Sequence, residues 1–169
     1  MSISLSSRAI RFTAPIATIL LAGCGGTRPQ ISSEPQPEQV ALREAASALL
    51  RYEDLVRSQN SRAIAQLFTP TGKLENVGQA PIVGREKIEA FLNSFASYKV
   101  LSHEMQLISA KSSSSQVRQY GTYIQHVRTP EGKEITAKGW FLLDWQRQPD
   151  GKWLIASART SSSPLASGA

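Results

Sequence analysis

The chain has 169 residues, with 19 Lys and Arg against 13 Asp and Glu, and a formal net charge of +6 at pH 7. The basic residues are scattered without a run of four or more, which is typical of a solvated surface and argues against nucleic-acid binding. A single cysteine, Cys24, leaves no partner for a disulfide within the chain.

The first 23 residues have the pattern of an export signal. Arg8 and Arg11 precede an apolar run from Phe12 to Ala22, and no acidic residue occurs before Glu34. A charged segment followed by about 7–15 apolar residues is typical of a secretory signal. The run is shorter than the roughly 20 apolar residues that a membrane span needs.

The residues around the cysteine carry a more specific resemblance. Leu21-Ala22-Gly23-Cys24 is similar to the lipobox of bacterial lipoproteins. That resemblance implies cleavage before Cys24 and a diacylglycerol on its sulfur, and two or more acyl chains give lasting membrane attachment. The alternative is an ordinary signal peptide with Cys24 as a spare thiol. We expect residues 1–23 to be a lipoprotein signal peptide and the protein to be anchored in the cell envelope. In a Gram-negative host the outer membrane is favoured, because no Asp follows Cys24.

Two segments have the composition of disordered chain. Residues 24–39 and 161–169 are rich in Gly, Ser, Pro and Gln, and they cannot bury enough apolar surface to offset the entropy of ordering. We expect a flexible tether over 24–39 and a disordered tail over 161–169. Residues 40–160 then form one domain of ordinary size.

A long helix is predicted at the start of that domain. Apolar residues at Leu42, Ala45, Leu49, Tyr52 and Val56 are spaced by three and four, which gives one face of a helix about 20 residues long.

Two shorter helices are predicted further along. Asn60 or Ser61 can cap a short helix that ends near Leu67. The residues TPTG that follow have the composition of a turn, and the segment from Lys73 to Asn76 is a candidate short strand. Gly84 precedes a third helical pattern, REKIEAFLNSF.

Beyond Ser97 the pattern becomes that of β-strands. Four segments rich in β-branched and aromatic residues are separated by KSSSS, TPEGK and QPDGK, each a good hairpin connection. Three helices followed by a four-stranded antiparallel meander predict an α+β fold. The helices should cover one face of a strongly curved sheet, which makes a cone with an apolar pocket.

Two stretches of this domain resemble a known superfamily. RYEDLVRSQNSRAIAQLFTPTGKLE, from Arg51, and GQAPIVGREKIEAFL, from Gly78, are similar to the nuclear transport factor 2-like proteins, and most similar to the SnoaL-like and ketosteroid isomerase-like branch. The resemblance covers Leu42 to Arg159 and implies the cone-shaped fold. Function does not follow from it, because the fold hosts isomerases, cyclases, dehydratases and domains without chemistry. The side chains expected to line the pocket are Leu49, Leu74, Phe91 and Phe141.

The isomerases of this branch imply a set of catalytic positions. They use a carboxylate base, a tyrosine donor and a second, protonated acid. The resemblance places Tyr52 at the tyrosine position and the base at Glu75 or Asn76, depending on where a one-residue gap falls. The second acid falls near Phe141, so that donor is missing. Asp144, three residues further on, is expected on the opposite face of its strand.

The chain contains two histidines, which are candidate metal ligands. His103 and His126 lie in separate predicted strands, and pairing of these strands could bring them together with Glu104 as a zinc site. No tight spacing supports this, so we interpret both as surface or pocket-rim histidines and predict no metal and no other cofactor. Trp140 is expected on the outer face of the sheet, where an exposed aromatic suggests a homodimer surface.

Two functions remain open from the sequence. The first, which we favour, is an envelope lipoprotein whose domain binds a small hydrophobic ligand or a protein partner without catalysis. The second is an isomerase, lyase or cyclase with Tyr52 as donor and Glu75 as base. They differ in whether these two side chains converge within hydrogen-bond reach of one point.

Overall fold

The computed structural model describes residues 36–162. Cys24 and the predicted signal peptide lie outside the described residues, as do most of the predicted tether and tail. Helices and strands follow one another in the order α1 (Pro37–Arg57), α2 (Ser61–Gln66), β1 (Phe68–Asn76), β2 (Ile82–Val83), α3 (Arg85–Asn93), β3 (Lys99–Ser112), β4 (Gln116–Arg128), β5 (Glu134–Arg147) and β6 (Trp153–Ser161).

The strands form one mixed sheet in the order β2-β1-β6-β5-β4-β3. Strands β3 to β6 make the predicted antiparallel meander, and the three connections fall at KSSSS, TPEGK and QPDGK. The prediction of a wholly antiparallel sheet is wrong at one pair, because β1 runs parallel to β6. Only α1 and α2 precede the sheet, since α3 follows β1 and β2.

The segment predicted as a turn lies inside β1. Its register with β6 shifts between Phe68 and Lys73, and such an irregularity bends a strand. An added Cβ at Gly72 would lie 2.9 Å from both the Phe68 Cβ and the Ile155 backbone oxygen, so this close approach requires glycine. Turn-forming residues therefore mark a bend within a strand at this position.

Both ends of the ordered domain extend slightly beyond the predicted bounds. Helix α1 begins at Pro37, inside the segment expected to be tether. Proline is tolerated in the first turn of a helix, so Pro37 is compatible with this start. Strand β6 continues to Ser161, the first residue of the predicted tail. No helix within residues 36–162 is long and apolar enough to cross a membrane.

The helices pack on one face of the sheet around an apolar core. Its largest fully buried side chains include Phe68, Ile88, Phe141 and Trp145. Strand β6 is tied to α1 by Glu44, whose carboxylate accepts a hydrogen bond of 2.9 Å from the Trp153 indole and lies 3.0 Å from the Arg147 guanidinium.

Trp140 differs from its prediction. It neighbours Phe141 in β5 and so points to the opposite face of the sheet, yet only 8% of it is exposed. The prediction that Trp140 is exposed is wrong. Trp140 therefore gives no support for a homodimer surface.

Candidate functional site: a cavity without charged side chains

A cavity of about 700 Å³ lies between the helices and the sheet. All three helices and strands β1, β3, β4, β5 and β6 contribute to its wall. Apolar side chains form most of this wall, among them Ile64, Phe68, Leu74, Phe91, Met105 and Phe141. Its volume falls within the roughly 300–1,000 Å³ that is common for small-molecule pockets.

The four residues expected to line the pocket divide into two groups. Leu74, Phe91 and Phe141 lie in the cavity wall. Leu49 is buried, with 6% exposed, but belongs to the core rather than to the wall. The cavity reaches α1 only from Tyr52 onward, one helical turn beyond Leu49.

No Asp, Glu, Lys or Arg of residues 36–162 lines this cavity. The polar part of the wall consists of hydroxyl, amide and imidazole groups, including those of Tyr52, Gln59, Asn76, His103, Tyr123 and Gln125. The cavity therefore offers hydrogen bonds to a ligand but no formal charge of either sign, provided that the imidazole is neutral.

The structure separates the two candidates for a catalytic base. Neighbouring residues of a strand point to opposite faces, and Asn76, not Glu75, lines the cavity. The Glu75 carboxylate lies 3.1 Å from the Arg159 guanidinium instead. The Asn76 side-chain oxygen accepts a hydrogen bond of 2.6 Å from the Thr160 hydroxyl. An amide cannot take up a proton at neutral pH, so the position facing the cavity holds no base.

Tyr52 lies in the cavity wall, as its place on the apolar face of α1 suggested. Burial raises its pKa to about 12, and the nearby Tyr123 phenol adds to this effect. Burial also raises the pKa of Tyr123. Both phenols therefore stay protonated at pH 7 and can donate hydrogen bonds into the cavity. Tyr52 and Glu75 do not meet in this cavity, because Glu75 is not part of its wall.

His103 faces the cavity because β3 is irregular. The register of β3 with β4 shifts between Val100 and Ser102, so one extra residue, Leu101, is accommodated there. As a result Val100 and His103 both line the cavity, although strict alternation would place residues three apart on opposite faces. Periodicity alone could not reveal this orientation, so the prediction of a surface or pocket-rim position is wrong for His103, which is buried in the cavity wall.

The His103 ring is buried, with 6% of the residue exposed. Neither Nδ1 nor Nε2 hydrogen-bonds to another group of residues 36–162. Burial, together with the smaller effect of the positive charge of Arg57, lowers the pKa of His103 to about 4. At pH 7 the imidazole is thus neutral, with one nitrogen as donor and the other as acceptor. The nearest aromatic ring is that of Tyr123, with 6.2 Å between centroids.

The two histidines do not come together. In the β3–β4 pairing, His103 lies opposite Gln125 and His126 opposite Ser102. His126 Nδ1 is 3.0 Å from the Thr136 hydroxyl, and His126 is exposed. Within the described part of the chain, no three His, Cys, Asp or Glu side chains are placed to hold a metal ion. The alternative of a zinc site shared by His103, His126 and Glu104 is therefore not formed.

Asp144 lies outside the cavity wall. Its carboxylate accepts a hydrogen bond of 2.6 Å from the Arg118 guanidinium. The missing second acid of the isomerases is therefore not replaced by the nearest carboxylate in the chain.

The cavity opens beside two exposed apolar side chains. Phe95, 48% exposed, and Ile135, 41% exposed, both belong to the wall, so the wall reaches solvent where they lie. The Phe95 ring packs edge-on against Phe91, with 5.2 Å between centroids. Gln59 fixes the segment behind this opening, because its side chain donates to the Tyr98 carbonyl at 2.7 Å and accepts from the Val100 amide at 3.1 Å.

A bent mixed sheet with helices on one face, enclosing a cavity of this size, defines the nuclear transport factor 2-like class of proteins. Within that class, the family model of the SnoaL-like domain matches residues 38–159. The chain belongs to the SnoaL-like family.

Solved structures of similar fold come from several bacteria. A ketosteroid isomerase-like protein from Erwinia carotovora atroseptica SCRI1043 is 17% identical, with a TM-score of 0.65 over 71% of this chain and 94% of that one. A protein from Catenulispora acidiphila, solved in complex with S-DNPA, is 20% identical, with a TM-score of 0.62 over 72% and 92%. An NTF2-like protein from Novosphingobium aromaticivorans is 19% identical, with a TM-score of 0.57 over 78% and 91%. At these identities the likeness establishes the fold alone.

Among curated proteins, none matches this chain.

Proposed function

We propose that the protein is an envelope-anchored lipoprotein whose SnoaL-like domain binds a small hydrophobic ligand without catalysing a reaction on it. The observation that carries this proposal is the wall of the 700 Å³ cavity, which is mostly apolar and to which residues 36–162 contribute no carboxylate. Such a wall gains free energy by removing apolar ligand surface from water. A cavity of this volume suits a small molecule better than it suits the flat surface of a protein partner.

The cavity wall receives no carboxylate from residues 36–162, and this argues against the isomerase, lyase or cyclase alternative, to which the sequence assigned a carboxylate base. That alternative requires a group that takes up a proton within hydrogen-bond reach of the substrate. Glu75, the carboxylate assigned to this role, is paired with Arg159 and lies outside the wall. Tyr52 is left without the carboxylate that this alternative pairs with it. The His103 imidazole also lines the wall, at a position to which the resemblance to the isomerases assigns no role.

The anchoring half of the proposal rests on the sequence. The lipobox-like Leu21-Ala22-Gly23-Cys24 would place acyl chains on the first residue of the mature protein. The residues between Cys24 and Pro37 are rich in Gly, Ser and Pro, which suits a tether that lets the domain stand off the bilayer.

Native mass spectrometry of the chain from position 24 onward, produced with Cys24→Ser so that it stays soluble, tests the ligand-binding half. We expect a folded species that carries an additional small-molecule mass, which denaturation releases and which can be identified. The same spectrum gives the oligomeric state, so it also tests the predicted homodimer. A species that carries no small molecule and takes none from a lipid extract of the host would contradict ligand binding.

Glu75→Gln separates binding from catalysis. The unaltered protein and this variant are each incubated with a metabolite extract, and the extracts are compared by mass spectrometry. We expect identical extracts and equal capture of the ligand, because Glu75 does not touch the cavity. A compound consumed by the unaltered protein but not by Glu75→Gln would establish catalysis and overturn this part of the proposal.

A further inference from the structure

We propose that His103 is the polar anchor of the cavity and that the ligand is an uncharged, mostly apolar molecule whose hydroxyl or carbonyl oxygen hydrogen-bonds to the His103 ring. This inference rests on the proposed ligand-binding function and deepens it, because it names the chemical class of the ligand and the side chain that selects it.

The His103 ring has no hydrogen-bond partner within residues 36–162. Buried polar groups in folded proteins nearly always have a hydrogen-bond partner, and leaving one without a partner is unfavourable. His103 is only 6% exposed, yet both of its ring nitrogens lack a partner among residues 36–162. Because the ring lines the cavity, the partner that it lacks can be supplied by a molecule within the cavity.

An irregularity in strand β3 turns the His103 ring toward the cavity. The irregularity in β3 between Val100 and Ser102 places His103 on the same face as Val100. Met105, two residues further along β3, is also in the wall. The imidazole is thus a polar group between two apolar side chains of β3, with the Gln125 amide opposite it on β4. A few polar groups placed in this way fix a ligand's orientation in small-molecule sites.

The charge of the groups around His103 limits which ligands the cavity can bind. The titratable groups that face the cavity with His103 are the phenols of Tyr52, Tyr98 and Tyr123, and no carboxylate, ammonium or guanidinium of residues 36–162 joins them. The nearby Arg57 is already paired with Glu53, at 3.3 Å, and with Asp54. A charged ligand group would lose its hydration without gaining a counter-charge, so the cavity disfavours it.

A hydroxyl group fits the neutral imidazole in either of its tautomers. Its oxygen accepts from the ring N–H, or its proton is donated to the bare ring nitrogen, whereas a carbonyl oxygen can only accept. The phenol of Tyr123, whose ring lies 6.2 Å from that of His103, is another polar group of the wall. A ligand oxygen placed between the two rings could bond to both.

Three matched fluorescent probes test this selectivity: pyrene, 1-hydroxypyrene and 1-pyrenecarboxylate. They share one apolar body and differ in carrying no polar group, a hydroxyl or a carboxylate. Each is titrated at pH 7 into the full-length chain carrying Cys24→Ser. We expect 1-hydroxypyrene to bind about tenfold more tightly than pyrene, in line with one added hydrogen bond to a buried group. We expect 1-pyrenecarboxylate to bind about tenfold more weakly than pyrene, because its charge is not compensated.

Variants at the two histidines assign the preference to one residue. His103→Phe should bind pyrene at least as well as the unaltered chain does and bind 1-hydroxypyrene no better than pyrene. His103→Gln, which keeps one donor and one acceptor, should retain part of the hydroxyl preference even if the phenylalanine variant does not fold. His126→Phe is the matched control, because this histidine lies outside the cavity wall, and it should keep the full preference.

The outcomes separate the inference from the function on which it rests. If pyrene binds but 1-hydroxypyrene gains nothing, His103 is satisfied by water or not at all, and the inference fails while ligand binding stands. Retention of the full preference by His103→Phe would also overturn it. If none of the three probes binds the unaltered chain, the proposed binding of small hydrophobic molecules fails, and the inference fails with it.

Discussion

His103 is held between two apolar neighbours on the inner side of β3, Val100 and Met105, and its ring is removed from water. Burial of this kind penalises the charged form of a side chain, so the imidazole stays neutral where an exposed histidine would begin to take up a proton. The same burial keeps the phenols of Tyr52 and Tyr123 protonated. The chemistry of the cavity at neutral pH is therefore that of uncharged donors and acceptors.

This neutrality makes the stability of the fold depend on pH in a defined direction. The folded-state pKa of His103 is about 4, below its ordinary value of 6.5. Between these values the unfolded chain binds a proton that the folded chain does not. The contribution of His103 to stability is therefore complete above about pH 6.5 and is lost as the pH falls to about 4. The loss corresponds to about 3 kcal/mol of unfolding free energy.

Urea unfolding at pH 7, 5.5 and 4 measures this contribution. His103→Phe should lose less stability between pH 7 and pH 4 than the unaltered chain, by up to about 3 kcal/mol. Comparison of the two chains cancels the effect on stability of the carboxylates that titrate in the same pH range, because both chains contain them. His126→Phe is the control for removal of a histidine and should follow the unaltered chain. Parallel pH profiles for His103→Phe and the unaltered chain would show that the ring is accessible to water when folded.

At the scale of the secondary-structure elements, irregularities in the strands shape the cavity. Register shifts occur in β1, at two places in β3, and at the β5–β6 pairing. Each bends its strand and increases the local twist. Bending is what allows one sheet to curve around a volume that three helices then close.

Gly121 in β4 lies at a closely packed position of this curved sheet. It lies directly opposite Phe141 of β5, whose ring is part of the cavity wall. A Cβ added at Gly121 would lie 2.2 Å from the backbone oxygen of Gln106 and 2.5 Å from the Phe141 ring. Because one of these neighbours is backbone, the space cannot be made by a side-chain rotation alone.

We expect Gly121→Ala to destabilise the fold by about 1–3 kcal/mol, the usual cost of forcing an extra carbon into a packed interior. Displacement of the Phe141 ring should also weaken pyrene binding. Urea unfolding and a pyrene titration of the same variant measure the two effects together.

Gly132→Ala, in the β4–β5 connection, is the comparison. No heavy atom lies within 4 Å of the Cβ that would be added there, and the residue has a φ of +85°. It should cost about 1–2 kcal/mol through its left-handed conformation alone and leave pyrene binding unchanged. Equal effects of the two variants on pyrene binding would mean that Gly121 does not position the cavity wall.

At the scale of the whole molecule, the proposal joins a binding domain to a lipid anchor. The chain contains one cysteine, so fatty-acid labelling of this protein through a cysteine can occur only at Cys24. We expect the full-length chain expressed in a Gram-negative host to incorporate an alkyne-tagged fatty acid and to sediment with membranes. Cys24→Ser should do neither, because a single anchoring site is lost.

Pyrene binding by the domain is the control for this prediction. Cys24→Ser should bind pyrene as the labelled chain does, since helices and strands of the domain form the cavity wall. Label on the Cys24→Ser chain, or an unlabelled full-length chain that remains in the soluble fraction, would contradict the lipoprotein half of the proposal.

Local patterns in the sequence were sufficient to predict the helices and the antiparallel meander. The three-and-four spacing of apolar residues predicted α1. The connections TPEGK and QPDGK were located to the residue because Gly132 and Gly151 adopt the positive φ that such turns require. These features depend only on residues close together in the chain.

Which side chains face the cavity was decided by tertiary structure. Glu75 and Asn76 are neighbours in β1, and the choice between them depends on the register with β6, some eighty residues away along the chain. The inward turn of His103 depends on a one-residue irregularity in β3, and a slip of one residue exchanges the two faces of a strand. The sequence by itself therefore determined the elements and their order. Only long-range strand pairing, which carries no local signal, determined that an unpaired histidine rather than a carboxylate faces the cavity.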